Sequence, residues 1–114
     1  MIGTKNDARK PRMSLMPEDV LREMLAVLEF GAAKYGEDNW KYVPNGTVRY
    51  YDAAMRHLDA WWHCDPHDSE SGKSHLAHVM CCVAFLMWLD KEDVHQCDVS
   101  PDQAELFHPL SSTS

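Results

Sequence analysis

The chain has too little positive charge to line a nucleic-acid backbone, no glycine-rich phosphate loop, no C-x-x-C pair and no apolar run long enough for a bilayer. Its 18 acidic residues outweigh 11 basic ones, giving a formal net charge of −7. That balance argues against a general binder of nucleic-acid polymers or of anionic membranes, both of which select a basic patch. A nucleotide ligand stays open, provided that cations or metal ions are gathered locally. The N-terminal segment carries Lys5, Arg9, Lys10 and Arg12 and lacks the apolar stretch of a signal peptide, so a cytoplasmic location is expected. Cysteine usage agrees, since Cys81 and Cys82 lie side by side in an apolar stretch while Cys64 and Cys97 are isolated, which indicates neither a disulfide framework nor a zinc knuckle. No Ser/His/Asp or Cys/His nucleophile arrangement is signalled, and no internal repeat appears at a period of about 20 to 50 residues.

What is present is organised around the stretch from Asp68 to Lys91. Between Leu76 and Leu89 the only polar side chain is His78, so burial on most faces explains the run better than a one-sided stripe. Fourteen residues fall short of a membrane span and predict a central core helix. Ser71, Gly72 and Ser74 offer capping and turn chemistry ahead of it, and Asp68 and Glu70 place negative charge near its positive end. His75 and His78 share a face in its first turns, which puts the polar chemistry, and the expected site, at that end.

Two more helices are predicted. The first begins at Pro17, carries Glu18 and Asp19 in its first turn, keeps a 3.6-residue period through Leu21, Met24 or Leu25, Leu28, Ala32 and Tyr35, and stops at Gly36. Gly31 inside it suggests a close approach by another backbone or by a ligand. After a loop over residues 37–46, Thr47 can cap a second helix that runs to about His63, with Val48, Tyr51, Met55, Leu58 and Trp62 forming its apolar stripe. Asp52, Arg56 and Asp59 lie opposite; the plain reading is a solvated face with an intrahelical ion pair. Ser100 and Pro101 open a possible short helix to Phe107, followed by a Ser/Thr tail. With no strand-like alternation beyond three or four residues, the expected fold is all-α: three main helices plus a short C-terminal one in a single domain over residues 1–114, with its core at about 5–95 and a mobile tail at about 108–114. Three helices alone cannot easily cover such an apolar central helix, so a homo-oligomer is expected.

The densest set of metal-competent residues is His57, His75 and His78 with Asp68 and Glu70. Imidazole and carboxylate are usable ligands, but H-x-x-H is less directional than the spacing of a zinc-protease helix. The alternatives are a buried polar network or direct contact with phosphate. Lys34, Arg56, Lys10 and Arg12 are candidate phosphate partners, although any one of them is more often a surface charge. Trp40 and Tyr35 have the ring faces to stack on a base, although each more often serves packing.

Read together, several motifs in order resemble a phage family named for dATP/dGTP diphosphohydrolase: Asp7-x-x-Lys10-Pro11-Arg12, Phe30-Gly31-Ala32-Ala33-Lys34-Tyr35-Gly36-x-x-Asn39-Trp40, Arg56-His57-Leu58-x-Ala60-Trp61 and Asp68-x-Glu70-Ser71-Gly72-x-x-His75-Leu76-x-His78. The resemblance covers about residues 5 to 90, and its members look like compact relatives of the MazG-type all-α pyrophosphohydrolases. It implies a helical, oligomeric domain in the cytoplasm of an infected bacterial host. That domain would bind a purine deoxynucleotide through Lys10, Arg12, Lys34, Tyr35, Asn39, Trp40, Arg56, His57, His75 and His78. In catalytic members Mg²⁺ or Mn²⁺ assists release of pyrophosphate. Glu70, Asp68 and His57 are then the catalytic candidates, and Glu29, Glu70 and His75 the candidate metal ligands.

The wider MazG-type enzymes hold hard cations with E-x-x-E and E-x-x-D, and this sequence contains neither. Where carboxylates would sit there are His75-x-x-His78 and Arg56-His57, a change that favours anion binding over hydrolysis. Two functions therefore stand: a metal-assisted pyrophosphohydrolase of deoxypurine triphosphates, or a non-catalytic sponge that sequesters a nucleotide-derived immune signal of the host. As metal ligands, His75 and His78 must be neutral and lose the ion below about pH 6. As phosphate donors they bind more tightly as pH falls. The deeper position of His78 favours the donor role, and His75 is left open.

Overall fold

The computed structural model describes residues 2–92, and the expected C-terminal helix and tail lie outside them. Among the described residues three α-helices make up the fold: α1 over Glu18–Tyr35, α2 over Gly46–Trp62 and α3 over His75–Glu92. Short 3-10 turns at Met13–Leu15 and Asn39–Tyr42 precede α1 and α2. Among the described residues the only β feature is an isolated bridge between His67 and Ser74, so the all-α expectation holds.

The sequence signals for α1 operate as expected. Pro17 stands at its N-cap, Glu18 and Asp19 occupy the first turn, and Gly36 ends it with φ at 100°, its N–H donating to the Ala32 carbonyl at 2.8 Å. A side chain at that φ would be strained, which is why glycine closes the helix. Of the two candidates in its stripe, Met24 packs on the core and Leu25 is exposed. Val27, Ala77 and Cys81 form the buried centre, with Met24, Leu28, Met80 and Phe85 against them. Burial pushes the Cys81 thiol up to about 12 and the Cys82 thiol to about 11, so both stay protonated and behave as small apolar groups.

Helix α2 differs from expectation in two ways. It starts at Gly46, with Asn45 in the left-handed region at φ 57° as its N-cap, so Thr47 lies inside the helix and caps nothing. A Cβ on Gly46 would stand 3.3 Å from Leu89 Cδ1 and 3.4 Å from the Tyr50 ring, so the backbone of α2 passes close to the Leu89 side chain of α3. The larger correction concerns its faces. Val48, Tyr51, Met55, Leu58 and Trp62 are 40 to 72 % exposed, and the side turned to α3 is instead made by Tyr50, Ala53, Ala54 and His57. Alanines at 53 and 54 let the two helices approach closely, and the α2–α3 contact is the largest in the fold. Asp52 and Arg56 are exposed as expected, but no ion pair joins them; Asp59 instead faces His63, whose Nδ1 is 3.4 Å from Asp59 Oδ1.

The central helix α3 buries His75, Ala77, Cys81, Cys82 and Leu89, while Val83 and Met87 remain exposed. Before it, the chain closes a tight turn: Asp68 N–H donates to the Lys73 carbonyl and Gly72 N–H to the Asp68 carbonyl, both at 2.8 Å, with Gly72 at φ 73°. Ser74 is the residue that caps α3, its Oγ accepting the Leu76 N–H at 3.1 Å.

Candidate functional site

A cleft of about 810 Å³ opens between α1, the Asn39–Tyr42 turn, α2 and the turn ahead of α3. Most of the residues singled out from the sequence line it: Lys34, Tyr35, Asn39, Trp40, Arg56, His57, Asp68, Glu70 and His78. His75 sits behind His57 and is buried. Glu29 is exposed on α1 outside the lining, so it does not join Glu70 and His75. Lys10 and Arg12 belong to an N-terminal segment that is exposed throughout, and they do not reach the cleft. A second hollow of about 430 Å³, lined by Trp61, Trp62, Cys64 and Pro66, holds no charged group.

Three imidazoles form the heart of the site. His57 projects from the second half of α2, and the first turn of α3 supplies His75 and His78. The His57 and His78 rings stack at 4.4 Å between centroids and 14° between planes, and His57 Nδ1 lies 2.8 Å from His75 Nδ1. One of those two nitrogens carries the proton and the other accepts it. His78 Nε2 is 2.7 Å from Ser71 Oγ, and His75 Nε2 is 3.4 Å from Asp65 Oδ2 without hydrogen-bond geometry. Asp65 was not distinguishable in the sequence, because a carboxylate in a loop signals nothing until the fold brings it to a buried ring.

Asp68 is fixed by its own turn, its Oδ2 accepting the N–H groups of Glu70 at 3.1 Å and Ser71 at 2.8 Å. Burial pushes its carboxyl upward, but the Ser71 N–H and hydroxyl, with His78 and the Glu70 N–H, outweigh that and hold it below its ordinary value. Lys34 pairs with Glu70 across the cleft mouth, and the carboxylate raises the ammonium above its usual value, so Lys34 is a fixed cation. Trp40 is committed to packing, stacked on Phe85 at 4.4 Å and edge-on to Trp88 at 5.2 Å, with its carbonyl accepting the Tyr50 hydroxyl at 2.8 Å. Tyr35 is 63 % exposed and leaves a ring face open, with Lys34 Nζ 5.0 Å from its centroid. A Cβ at Gly31 would meet nothing within 4 Å, which rules out a close backbone neighbour; the glycine faces the cleft itself.

Burial, followed by the neighbouring His78, lowers His57 from 6.5 to about 4, and burial also lowers His78. Both rings are therefore neutral at pH 7, and any gain from protonating His78 is moved to lower pH. The consequence for stability has a definite sign. Between pH 6.5 and 4 the unfolded chain takes up a proton at position 57 that the folded chain refuses, so stability falls as pH falls through that window. In metal-free buffer the loss is expected to be on the order of 1 to 3 kcal/mol for this half-buried ring. Urea midpoints from pH 7 to pH 4 measure it, and a His57→Gln variant with the same acid slope would remove this explanation.

Fold and site together define a small all-α domain with a histidine-rich cleft lined by both cations and carboxylates. The chain belongs to the family described as dATP/dGTP diphosphohydrolase, N-terminal, which matches residues 2–98. A curated relative from Salmonella phage PMBT28, named dATP/dGTP diphosphohydrolase, is 35 % identical over 89 residues, covering 78 % of this chain and 30 % of the relative. The chain thus spans under a third of that relative's length. No solved structure matches it.

Proposed function

We propose that the protein binds a purine deoxynucleoside triphosphate in the α1–α2–α3 cleft and releases pyrophosphate from it. The observation that carries this reading is the convergence on one cleft of Lys34 from α1, Arg56 and His57 from α2, Asp68 and Glu70 from the turn and His78 from α3. A guanidinium and an ammonium suit the phosphates, and the exposed Tyr35 ring suits the base. In the hydrolytic step a water oxygen bonds to the α-phosphorus, the bond to the α–β bridging oxygen breaks, and pyrophosphate leaves. The water's proton passes to Glu70 at the cleft or, in the metal-free protein, to His57 or Asp68. The name of the phage relative supports the substrate class. The working form is a homo-oligomer in the cytoplasm of the infected host.

The Mg²⁺ or Mn²⁺ cluster implied by the resemblance does not fit the gathered residues: Glu29 is elsewhere, Glu70 is engaged by Lys34, Asp65 lies behind His75, and Asp68 is the carboxylate grouped with His57 and His75. That specific observation favours a second reading, in which the cleft sequesters a nucleotide or a nucleotide-derived host immune signal without turning it over. Incubation with each of the four dNTPs and Mn²⁺, followed by chromatography, separates the two. Deoxypurine monophosphate and pyrophosphate support hydrolysis; intact nucleotide retained by the protein supports sequestration. Neither turnover nor retention would reject both.

A further inference from the structure

We propose that His57, Asp68 and His75 form a binding site for one borderline transition-metal cation of the Zn²⁺ class, with coordination positions left open toward the cleft. One ligand atom from each of the three residues lies within 4.8 Å of the others. The donor set is two imidazoles and one carboxylate, a combination that suits Zn²⁺, Co²⁺ or Fe²⁺ and leaves room for water or a ligand oxygen. Mg²⁺ prefers oxygen donors in octahedral geometry, and here the protein offers it a single oxygen ligand type.

The spacing and the surroundings both bear on this. A cation about 2.0 to 2.1 Å from each nitrogen holds two imidazole nitrogens roughly 2.9 to 3.4 Å apart at octahedral or tetrahedral angles. His57 Nδ1 and His75 Nδ1 stand 2.8 Å apart, so only tenths of an ångström separate them from a shared ion. A plain hydrogen bond between the two rings accounts for that distance but not for the far side of His75. Its Nε2 is buried without a hydrogen-bond partner, in a residue only 6 % exposed, and Asp65 Oδ2 stands 3.4 Å away. A carboxylate hydrogen-bonded to the second nitrogen fixes a metal-binding histidine's tautomer and frees its other lone pair, and Asp65 stands close to that position without making the bond in the metal-free protein. Asp68 is likewise oriented from behind by the Glu70 and Ser71 N–H groups. Two helices and a hydrogen-bonded turn supply the three ligands, which is the rigidity a preformed site needs.

The inference rests on the same cleft as the proposed function, but its test uses metal without nucleotide and so stands apart from turnover. The full chain, stripped with chelator, is titrated with Zn²⁺ by calorimetry and with Co²⁺ by visible absorption. One ion per chain is expected, with a Co²⁺ ligand-field spectrum showing nitrogen ligation that excess Mg²⁺ does not displace. His57→Gln, Asp68→Asn and His75→Ala should each weaken binding at least about 10-fold, while His67→Ala, an exposed histidine of the same loop, should leave it unchanged. Should His75→Ala fail to fold by circular dichroism, the two half-buried positions still decide the question. Absence of Zn²⁺ and Co²⁺ binding to folded wild type, affinity unchanged in His57→Gln and Asp68→Asn, or displacement by Mg²⁺ would overturn the site.

Discussion

Arg56→Ala is expected to weaken the binding of dATP or dGTP by roughly 10- to 150-fold, because it deletes a charge-assisted contact to phosphate worth about 1.5 to 3 kcal/mol. Arg56 lines the cleft beside His57 and forms no ion pair with Asp52, so its charge is available to a ligand and its loss should leave the fold intact. Lys34→Ala should act in the same direction. Lys34 differs in being held by Glu70, which an incoming phosphate must displace. Glu70→Gln therefore has an opposite pair of effects: tighter nucleotide binding, because the competing carboxylate is gone, and slower turnover if Glu70 takes part in chemistry. Calorimetric titration of the three variants reads the first effect, and product chromatography the second. Unchanged affinity in both Arg56→Ala and Lys34→Ala would move the phosphates elsewhere.

The second large effect concerns association. Wild-type protein at micromolar concentration is expected to sediment as a dimer or larger assembly, and a Met55→Asp, Leu58→Asp double variant as a monomer. These side chains are 50 % and 40 % exposed within the chain, and they continue a stripe with Val48, Tyr51 and Trp62 on the same side of α2. Fully covering a Met or Leu side chain contributes roughly 1.5 to 3 kcal/mol, and a two-fold interface counts each residue twice. Two carboxylates placed in that patch would thus cost several orders of magnitude in association. They should cost the isolated chain less than the interface, since both positions are already partly in water. A wild type that sediments only as monomer, or a double variant that still associates, would remove the interface from α2.

The contrast between α1 and α2 shows what periodicity conveys. On α1 the stripe of Leu21, Met24 and Leu28 and the stop at Gly36 led to the right boundaries and close to the inward face, but Tyr35 is exposed and Val27, the buried residue of that helix, lay outside the stripe. On α2 two faces compete. Large apolar residues mark the side chains that gain from leaving water, but close packing on α3 selects small ones, and Ala53 and Ala54 occupy that position. A stripe identifies a sticky surface without naming its neighbour. The same limit applies to the site. His57, His75, His78 and Asp68 were legible as a dense set of ligand types, and the fold does bring them together. Lys10, Arg12 and Glu29 carry equally suitable groups, yet nothing in a residue's type tells whether the backbone will carry it to the cleft. Asp65 lies at the opposite extreme, anonymous in sequence and beside a buried ring in space.

The four tryptophans divide between these two surfaces. Trp40 lines the cleft and touches Trp88 through the ring cluster around Phe85, whereas Trp61 and Trp62 stand 40 % and 72 % exposed at the end of α2. Intrinsic emission from this protein is therefore a two-channel signal. Filling the cleft alters the environment of the packed pair, while covering the end of α2 removes water from the exposed pair and shifts their emission to the blue. Replacing Trp61 and Trp62 by phenylalanine isolates the first channel, and comparison with wild type then gives the second.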